Sequence, residues 1–433
     1  MQYEEALSKI ESLQVFGSQP GLERVKMLMT RLGNPQEKLK FIHVAGTNGK
    51  GTTCTLLASV LQSAGYSTGL FISPHVSDFR ERIQVNGEMI PESALCSLVE
   101  TVFPEVERMA SEGEIITEFE LIAALAFLWF ASQDCEIVVL EVGLGGRLDA
   151  TNVISCPLVS VITALSLDHT KILGDTIEQI AAEKCGIIKP GGVTVCYPEQ
   201  PHAALEVIRQ TCTERENQLV LPSLGNLTVE KMNLSGTDFK YRGMSLHLPF
   251  LGDHQIKNAG TALAVLETLE MSGLRIPEAA YREGFAASRF PARLEVLSQR
   301  PVVLLDGAHN PGGTAALAEA IRRYLPGKRI VAVMGMMEDK DVRTAVQNLS
   351  GLFDRVFTAA PESPRAMPAE KLAELWASLG TPAVPTGSAV SAFRTAMEGL
   401  GTEEALVICG SLYLAGELRG YALDFLRGCK TAL

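Results

Sequence analysis

A chain of 433 residues exceeds what one ordinary core encloses, so two or three folded units of roughly 100 to 200 residues each are expected. Its composition, 46% hydrophobic and 20% charged, fills buried sheets and excludes extensive disorder. A net charge of −12 excludes a general nucleic-acid or anionic-membrane surface, because phosphate backbones are held by clustered Lys and Arg, so an anionic substrate needs a local basic pocket.

In chain order, MQYEEALSKIESL opens the sequence as an acidic amphipathic segment without the basic flank and apolar stretch of a secretion signal, so a cytoplasmic protein is expected. FIHVA (41 to 45) reads as a strand followed by a helix from Thr52, and GLFI (69 to 72) as a second strand. The longest apolar stretch, Leu121 to Ala131, falls short of the roughly 20 residues that span a bilayer and reads as a buried helix. EIVVLEV (136 to 142) and LVSVIT (158 to 163) complete a series of nearly continuous apolar strands alternating with helices, the pattern of a parallel sheet covered on both faces. From about 219 to 250, short alternating stretches with turn residues point to appended antiparallel strands.

A second α/β series runs through PVVLLD (301 to 306), RIVAVMG (329 to 335), DRVFTAA (354 to 360) and ALVICGS (405 to 411). The boundary is placed near 295, after the turn-rich stretch Ala287 to Arg293, dividing the chain into 1–295 and 296–433. The expected fold is α/β: a P-loop ATPase-like, mostly parallel domain with a small antiparallel addition, then a Rossmann-like C-terminal domain. Nine cysteines, at 54, 96, 135, 156, 185, 196, 212, 409 and 429, form an odd set without a CxxC pair and read as reduced core thiols.

The strongest local signal is Gly46-Thr47-Asn48-Gly49-Lys50-Gly51-Thr52, between a strand and a helix. Glycines let backbone N–H groups close around phosphate oxygens, Lys50 can reach the terminal phosphates, and Thr52 can meet magnesium. The loop departs from the standard pattern, since only Thr47 and Asn48 separate its first two glycines. Open α/β sheets bind ligands beyond the carboxyl ends of their strands. Ser73, Glu141 and the Asp168-His169 pair lie at such ends, and a hydroxyl, a carboxylate and an imidazole there suit magnesium completed by water and phosphate oxygens. Singly, each also fits a structural role.

On the helix predicted over 176 to 185, Ile177, Ile180, Ala181 and Lys184 share one face before Gly186 ends it. A lysine there is costly unless it snorkels, pairs with Glu183 or Glu141, or loses its charge. Beyond the first strand of the second series, Asp306 can accept hydrogen bonds from a ribose or an ammonium, and His309 can face an anion; a capped turn is the plain alternative. Gly410-Ser411 is a weaker candidate of the same kind, and the two edges together suggest a site in the cleft between the domains.

Taken in order, HVAGTNGKGTT, FISPH, TEFE, EVGLGGRLDATN, LDHTKILGDTIEQIAAEKCGIIKPG, FPARLEV and DGAHNP resemble the folylpolyglutamate synthase and dihydrofolate synthase family of the Mur ligase superfamily, from GLERV at 21 to GSLYL at 410. The resemblance implies an ATP-dependent amide ligase that adds L-glutamate to dihydropteroate or reduced folates through an acyl phosphate, with Mg²⁺ and a possible monovalent cation, acting as a monomer. It assigns ATP contacts to Gly46 through Thr52 and to Asn258, Arg293 and Asp306, with Asn258 in a looser motif, GDHQIKNAG. It assigns magnesium to Ser73, Glu141 and His169, and a carboxylated side chain to Lys184. Gly21, Leu22, Glu23 and Arg24, Thr117, Glu118, Phe119 and Glu120, and Leu148, Asp149 and Ala150 resemble the pterin-substrate segments. His309 and Ser411 resemble positions near the incoming glutamate, so Lys50, Lys184 and His309 are the expected catalytic set. Competing readings are a Mur-type ligase acting on a peptidoglycan precursor, opposed by TEFE, GGRLDATN and the mere 40 or so residues before the loop, and a nucleotide-dependent switch, which leaves the second-domain motifs unexplained.

Overall fold

The run FIHVA becomes β1 (Phe41–Ala45), buried along its whole length because both faces of its sheet are covered by helices. The computed structural model describes residues 1–17 and 21–430, the side chains at 15, 16, 429 and 430 excepted, so Cys429 lies outside the described residues as a core thiol. The remaining strands of this sheet are β2 (Thr68–Phe71), β3 (Ile83–Val85), β4 (Glu88–Met89), β5 (Ile137–Glu141), β6 (Val159–Ile162), β7 (Val193–Cys196) and β8 (Gln218–Val220). Their order is β4-β3-β2-β5-β1-β6-β7-β8, parallel throughout except for the β3–β4 hairpin at one edge. β1 lies between β5 and β6, so the chain leaves its carboxyl end toward one side while β5 feeds a strand on the other. Such a reversal opens a crevice at that edge.

The antiparallel addition is a three-stranded sheet of β9 (Leu227–Asn233), β10 (Gly236–Tyr241) and β11 (Met244–Leu248). It begins later than the sequence pattern suggests: Gln218–Val220 pairs parallel with β7 and belongs to the large sheet, its short alternation being that of an exposed edge. The C-terminal sheet contains β12 (Glu295–Gln299), β13 (Val302–Leu305), β14 (Ile330–Met334), β15 (Arg355–Thr358), β16 (Ala383–Pro385) and β17 (Ala405–Cys409) in the order β12-β13-β17-β14-β15-β16. Only β12 runs antiparallel. β4, β12 and β16, short or partly exposed, carry too little apolar patterning to be read from sequence.

The Leu121–Ala131 stretch lies within the helix Glu118–Ser132, and no helix among the described residues is long and apolar enough to cross a membrane. Of the eight described cysteines seven are buried and Cys156 is exposed, all free of disulfides. The segment after Thr176 is helical over Ile177–Lys184, and a 3-10 turn over Cys185–Ile187 follows, so Gly186 sits inside that turn and does not terminate the helix as expected.

The helix behind the phosphate loop, Lys50–Ser63, is clamped by the helix Glu278–Ala287, where Ser59 Oγ donates to the Gly284 carbonyl at 2.7 Å. The helices approach so closely that a Cβ on Gly284 would stand 2.5 Å from Val60 Cα. Gly284→Val should therefore cost about 1–3 kcal/mol by overpacking in urea unfolding. Gly420→Ala, where added Cβ atoms meet nothing within 4 Å, should be neutral or stabilising.

Candidate active site

The loop after β1 is held open by backbone bonds to the segment that follows β6. Thr47 N and Asn48 N both donate to the Ala164 carbonyl, at 2.9 and 3.1 Å, and Thr47 Oγ1 and Asn48 Nδ2 reach Ser166. Gly49 takes φ +85° as the residue preceding the helix, and a Cβ there would collide with the Asn258 side chain. Only glycine meets both conditions. The loop amides and the helix N-terminus then face a cavity of about 350 Å³ between the two large sheets.

Every residue that the resemblance assigns to ATP or magnesium lines this cavity: Gly46 through Thr52, Ser73, Glu141, His169, Lys184, Asn258, Arg293 and Asp306. His309 lines it as well. Glu141, at the end of β5, is 3% exposed; its Oε2 accepts from Ser73 N at 3.2 Å and its Oε1 lies 3.8 Å from Lys50 Nζ. Burial raises its pKa, partly offset by Lys50. No three His, Cys, Asp or Glu side chains converge on a metal position among the described residues. One buried carboxylate with a hydroxyl and an imidazole nearby fits magnesium nevertheless, since that cation keeps several waters and takes phosphate oxygens instead of a full protein cage.

Lys184 is 5% exposed and donates to the Gly46 carbonyl at 2.9 Å. It neither snorkels nor pairs with Glu183, which is held by Arg147 at 2.8 Å, nor does it meet Glu141 within 4.0 Å. Burial, reinforced by Lys50, pulls its pKa down to about 7. A substantial neutral fraction at physiological pH follows.

From the second sheet, Asp306 accepts Leu294 N and Ala308 N, both at 2.8 Å, and is buried beside Arg293. Burial raises the Asp306 carboxyl and lowers the Arg293 guanidinium. His309 Nδ1 lies 2.8 Å from the Gly307 carbonyl, which can only accept, so Nδ1 carries the proton and Nε2 is left as an acceptor. Burial takes its pKa down to about 4. A neutral imidazole with a free lone pair at Nε2 suits an ammonium. Ser411, 2% exposed, accepts Leu414 N at 3.1 Å and caps the last helix; it lies outside the cavity lining.

The segments that resemble pterin-binding ones also lie outside that lining, with Phe119 against Gly143 and Asp149 against Leu144. Thr117 and Glu120 form a capping box for the helix Glu118–Ser132, and Glu120 Oε1 receives Arg24 at 3.0 Å. Phe119 packs on Phe71 at 5.9 Å and closes over Gly143. Glu118 receives Gln14 at 3.2 Å, whereas Glu23 extends into solvent beside Lys26. Asp149 turns into its own loop, accepting Leu144 N at 2.8 Å and Thr151 Oγ1 at 2.5 Å. His43 Nε2 reaches that hydroxyl at 2.8 Å, tying the loop to β1. Leu148 is half-buried, and Ala150 is packed in the core.

Sequence reasoning missed Lys340. Asp168 Oδ1 meets Lys340 at 3.3 Å and Oδ2 accepts Asn310 Nδ2 at 2.9 Å, while Asn310 also reaches Asn48 at 3.4 Å. Burial pushes the Asp168 carboxyl up, but Lys340, His169 and Asn310 outweigh it and hold it at about 2. Lys340 follows β14, so the strand-end rule used for Ser73 and Glu141 would have found it.

Comparison with known proteins agrees with this geometry. Residues 44–266 match the Mur ligase middle domain and residues 292–412 the Mur ligase glutamate ligase domain. The dihydrofolate synthase/folylpolyglutamate synthase of Bacillus subtilis (strain 168) is 37% identical over 96% of this chain and 98% of that protein. Mycobacterium tuberculosis folylpolyglutamate synthase, solved with ADP and AMPPCP, superposes with a TM-score of 0.88 at 31% identity, covering 97% of this chain and 99% of that one. E. coli FolC, solved with DHPP and ADP, gives 0.86 at 33% identity, covering 99% of both. The chain belongs to the dihydrofolate synthase/folylpolyglutamate synthase family of Mur ligases, ATP-dependent enzymes that join glutamate through an amide bond.

Proposed function

We propose that this enzyme activates the carboxylate of dihydropteroate or of a reduced folate as an acyl phosphate and couples it to L-glutamate, with residues 1–295 binding ATP and acceptor and residues 296–433 binding glutamate. The observation that carries the reading is the single cavity in which phosphate loop, Glu141, Lys184, Arg293 and His309 meet beside the acceptor segments. Lys50 and Arg293 offset charge on the ATP phosphates while the acceptor carboxylate attacks the γ-phosphorus and ADP departs. His309 Nε2 accepts a hydrogen bond from the glutamate ammonium, which gives one proton to solvent as it binds; the amine attacks the acyl carbon, the C–O bond to phosphate breaks, and the departing phosphate takes the second nitrogen proton. Enclosure between the two sheets keeps water from the acyl phosphate. Magnesium, held by Ser73, Glu141 and His169, would supply charge neutralisation at the phosphates. The enzyme is taken to act as a monomer in the cytoplasm.

The test is phosphate release, expected only with ATP, L-glutamate and either dihydropteroate or tetrahydrofolate together; release without glutamate would favour a nucleotide switch. Lys50→Ala should fold yet lose turnover by about 100-fold or more, since its contact is with phosphate and its structural bonds are long, 3.4 Å to Thr47 and 3.8 Å to Glu141. Near-normal turnover would remove the loop from the mechanism.

If both acceptors share one pterin pocket, Phe119→Ala should weaken both in parallel, measured as KM in one preparation. Survival of one activity at full strength would count against a common pocket.

Lys184, whose burial favours the neutral amine, is suited to capture carbon dioxide as a carbamate with release of a proton, which places a carboxylate at the cavity wall. Lys184→Ala should fold and lose activity, with partial rescue by acetate or formate. Absence of a bicarbonate-derived carbon resonance at Lys184 in active enzyme would exclude the adduct.

A further inference from the structure

Arg82 is a cation that the proposed mechanism leaves unused. It stands between the 3-10 turn Phe79–Arg82 and β3, with its carbonyl accepting Ile72 N at 3.2 Å, one residue before Ser73. Its Nε donates to His75 Nδ1 at 2.9 Å and its guanidinium lies over Phe79 at 5.5 Å. These contacts fix the plane of the group. Its neighbour Arg80 is satisfied by Asp78 at 2.7 Å, but among the described residues no carboxylate oxygen lies within 4.0 Å of Arg82. The guanidinium is half-buried and desolvated, with Glu118 and Tyr413 the acidic groups whose fields reach it. A guanidinium held in one plane with its terminal nitrogens unmatched is suited to a carboxylate from outside the chain.

Its surroundings indicate which one. Ile83, the next residue, pairs with Phe71, and Phe71 carries Phe119 of the acceptor segment. Ser73 leads to Glu141 and the phosphate edge, and Tyr413 follows Ser411 in the C-terminal half. Arg82 thus adjoins the stretch from Phe71 to Ser73 that connects Phe119 with the phosphate edge, the course an acceptor reaching from one to the other would follow. Dihydropteroate has one carboxylate, which reacts. A glutamate-terminated folate has two: the γ group reacts, and the α group enters the cleft as a spectator anion that loses its hydration there.

We propose that Arg82 binds the α-carboxylate of a glutamate-terminated acceptor and so sets the enzyme's preference between glutamylated folate and dihydropteroate. The inference rests on the function proposed above; among the described residues Arg82 is the guanidinium immediately before β3, the strand next to Phe71 and Phe119, that meets no carboxylate.

The test is steady-state kinetics on wild type, Arg82→Gln and Arg82→Lys with tetrahydrofolate and with dihydropteroate. Arg82→Gln should raise KM for tetrahydrofolate about 10- to 100-fold, the worth of a charge-assisted hydrogen bond, with kcat and the dihydropteroate KM changed less than about 3-fold. Arg82→Lys should recover part of the loss. Wild type should also bind a tetrahydrofolate whose α-carboxylate is an amide about 10-fold more weakly, a readout that needs no variant to fold. Equal binding of the amide, equal damage to both acceptors, or a rise confined to the KM for free L-glutamate would each overturn the proposal. Failure of wild type to couple glutamate to either acceptor would instead overturn the underlying function.

Discussion

Lys50, Lys184 and Arg293 face one cavity with Glu141 and Asp306, yet the only direct pair among these five is Lys50 with Glu141, at 3.8 Å. Charges removed from water and left apart cost free energy in proportion to their desolvation, and the shifts follow that rule: burial raises Glu141 and Asp306 and lowers Lys184 and Arg293. A fold that only needed stability would pair these groups or replace them with apolar side chains. Their separation leaves room for a ligand that supplies the missing counter-charges, as the proposed magnesium nucleotide would. Catalytic readiness and structural strain are therefore the same feature of this cleft.

The two sheets are joined by bonds that report on the same cavity. Asn310, at the start of the helix Pro311–Tyr324, touches both Asn48 of the phosphate loop and Asp168 after β6, and Lys340 completes the set. The covalent connection is equally constrained. Ala292 and Leu294 adopt φ +53° and +47°, conformations unusual for side chains with a Cβ, and Asp306 holds Leu294 in place through its backbone amide. Arg293 lies between them, so any change in the angle of the halves moves a cavity-lining cation.

The acceptor side is organised by different means. Thr117 with Glu120, Arg24 with Glu120, and Asp149 with Thr151 and His43 are bonds within the protein, and they fix loops that surround Phe119 and Gly143. Most polar residues of these segments are spent on bonds within the protein, which leaves Phe119 and the guanidinium of Arg82 as the groups the proposal assigns to an acceptor.

The sequence by itself determined the strand-and-helix alternation, because buried parallel strands need continuous apolar runs, and it determined the phosphate loop, because glycine spacing between strand and helix has a local meaning. It also exposed Lys184, an apolar helical face being incompatible with an ordinary ammonium. Short edge strands such as β4 and β16 lacked that patterning, and the parallel pairing of Gln218–Val220 depended on β7, distant in sequence. Protonation and partnership were tertiary decisions. The Gly307 carbonyl set the tautomer of His309, Gly46 took the Lys184 ammonium that Glu183 or Glu141 could have claimed, and Ser411 became a cap. Lys340 and Arg82 acquired meaning only when folding brought one to Asp168 and left the other without a carboxylate, since pairing of charge depends on positions in space that no local pattern encodes.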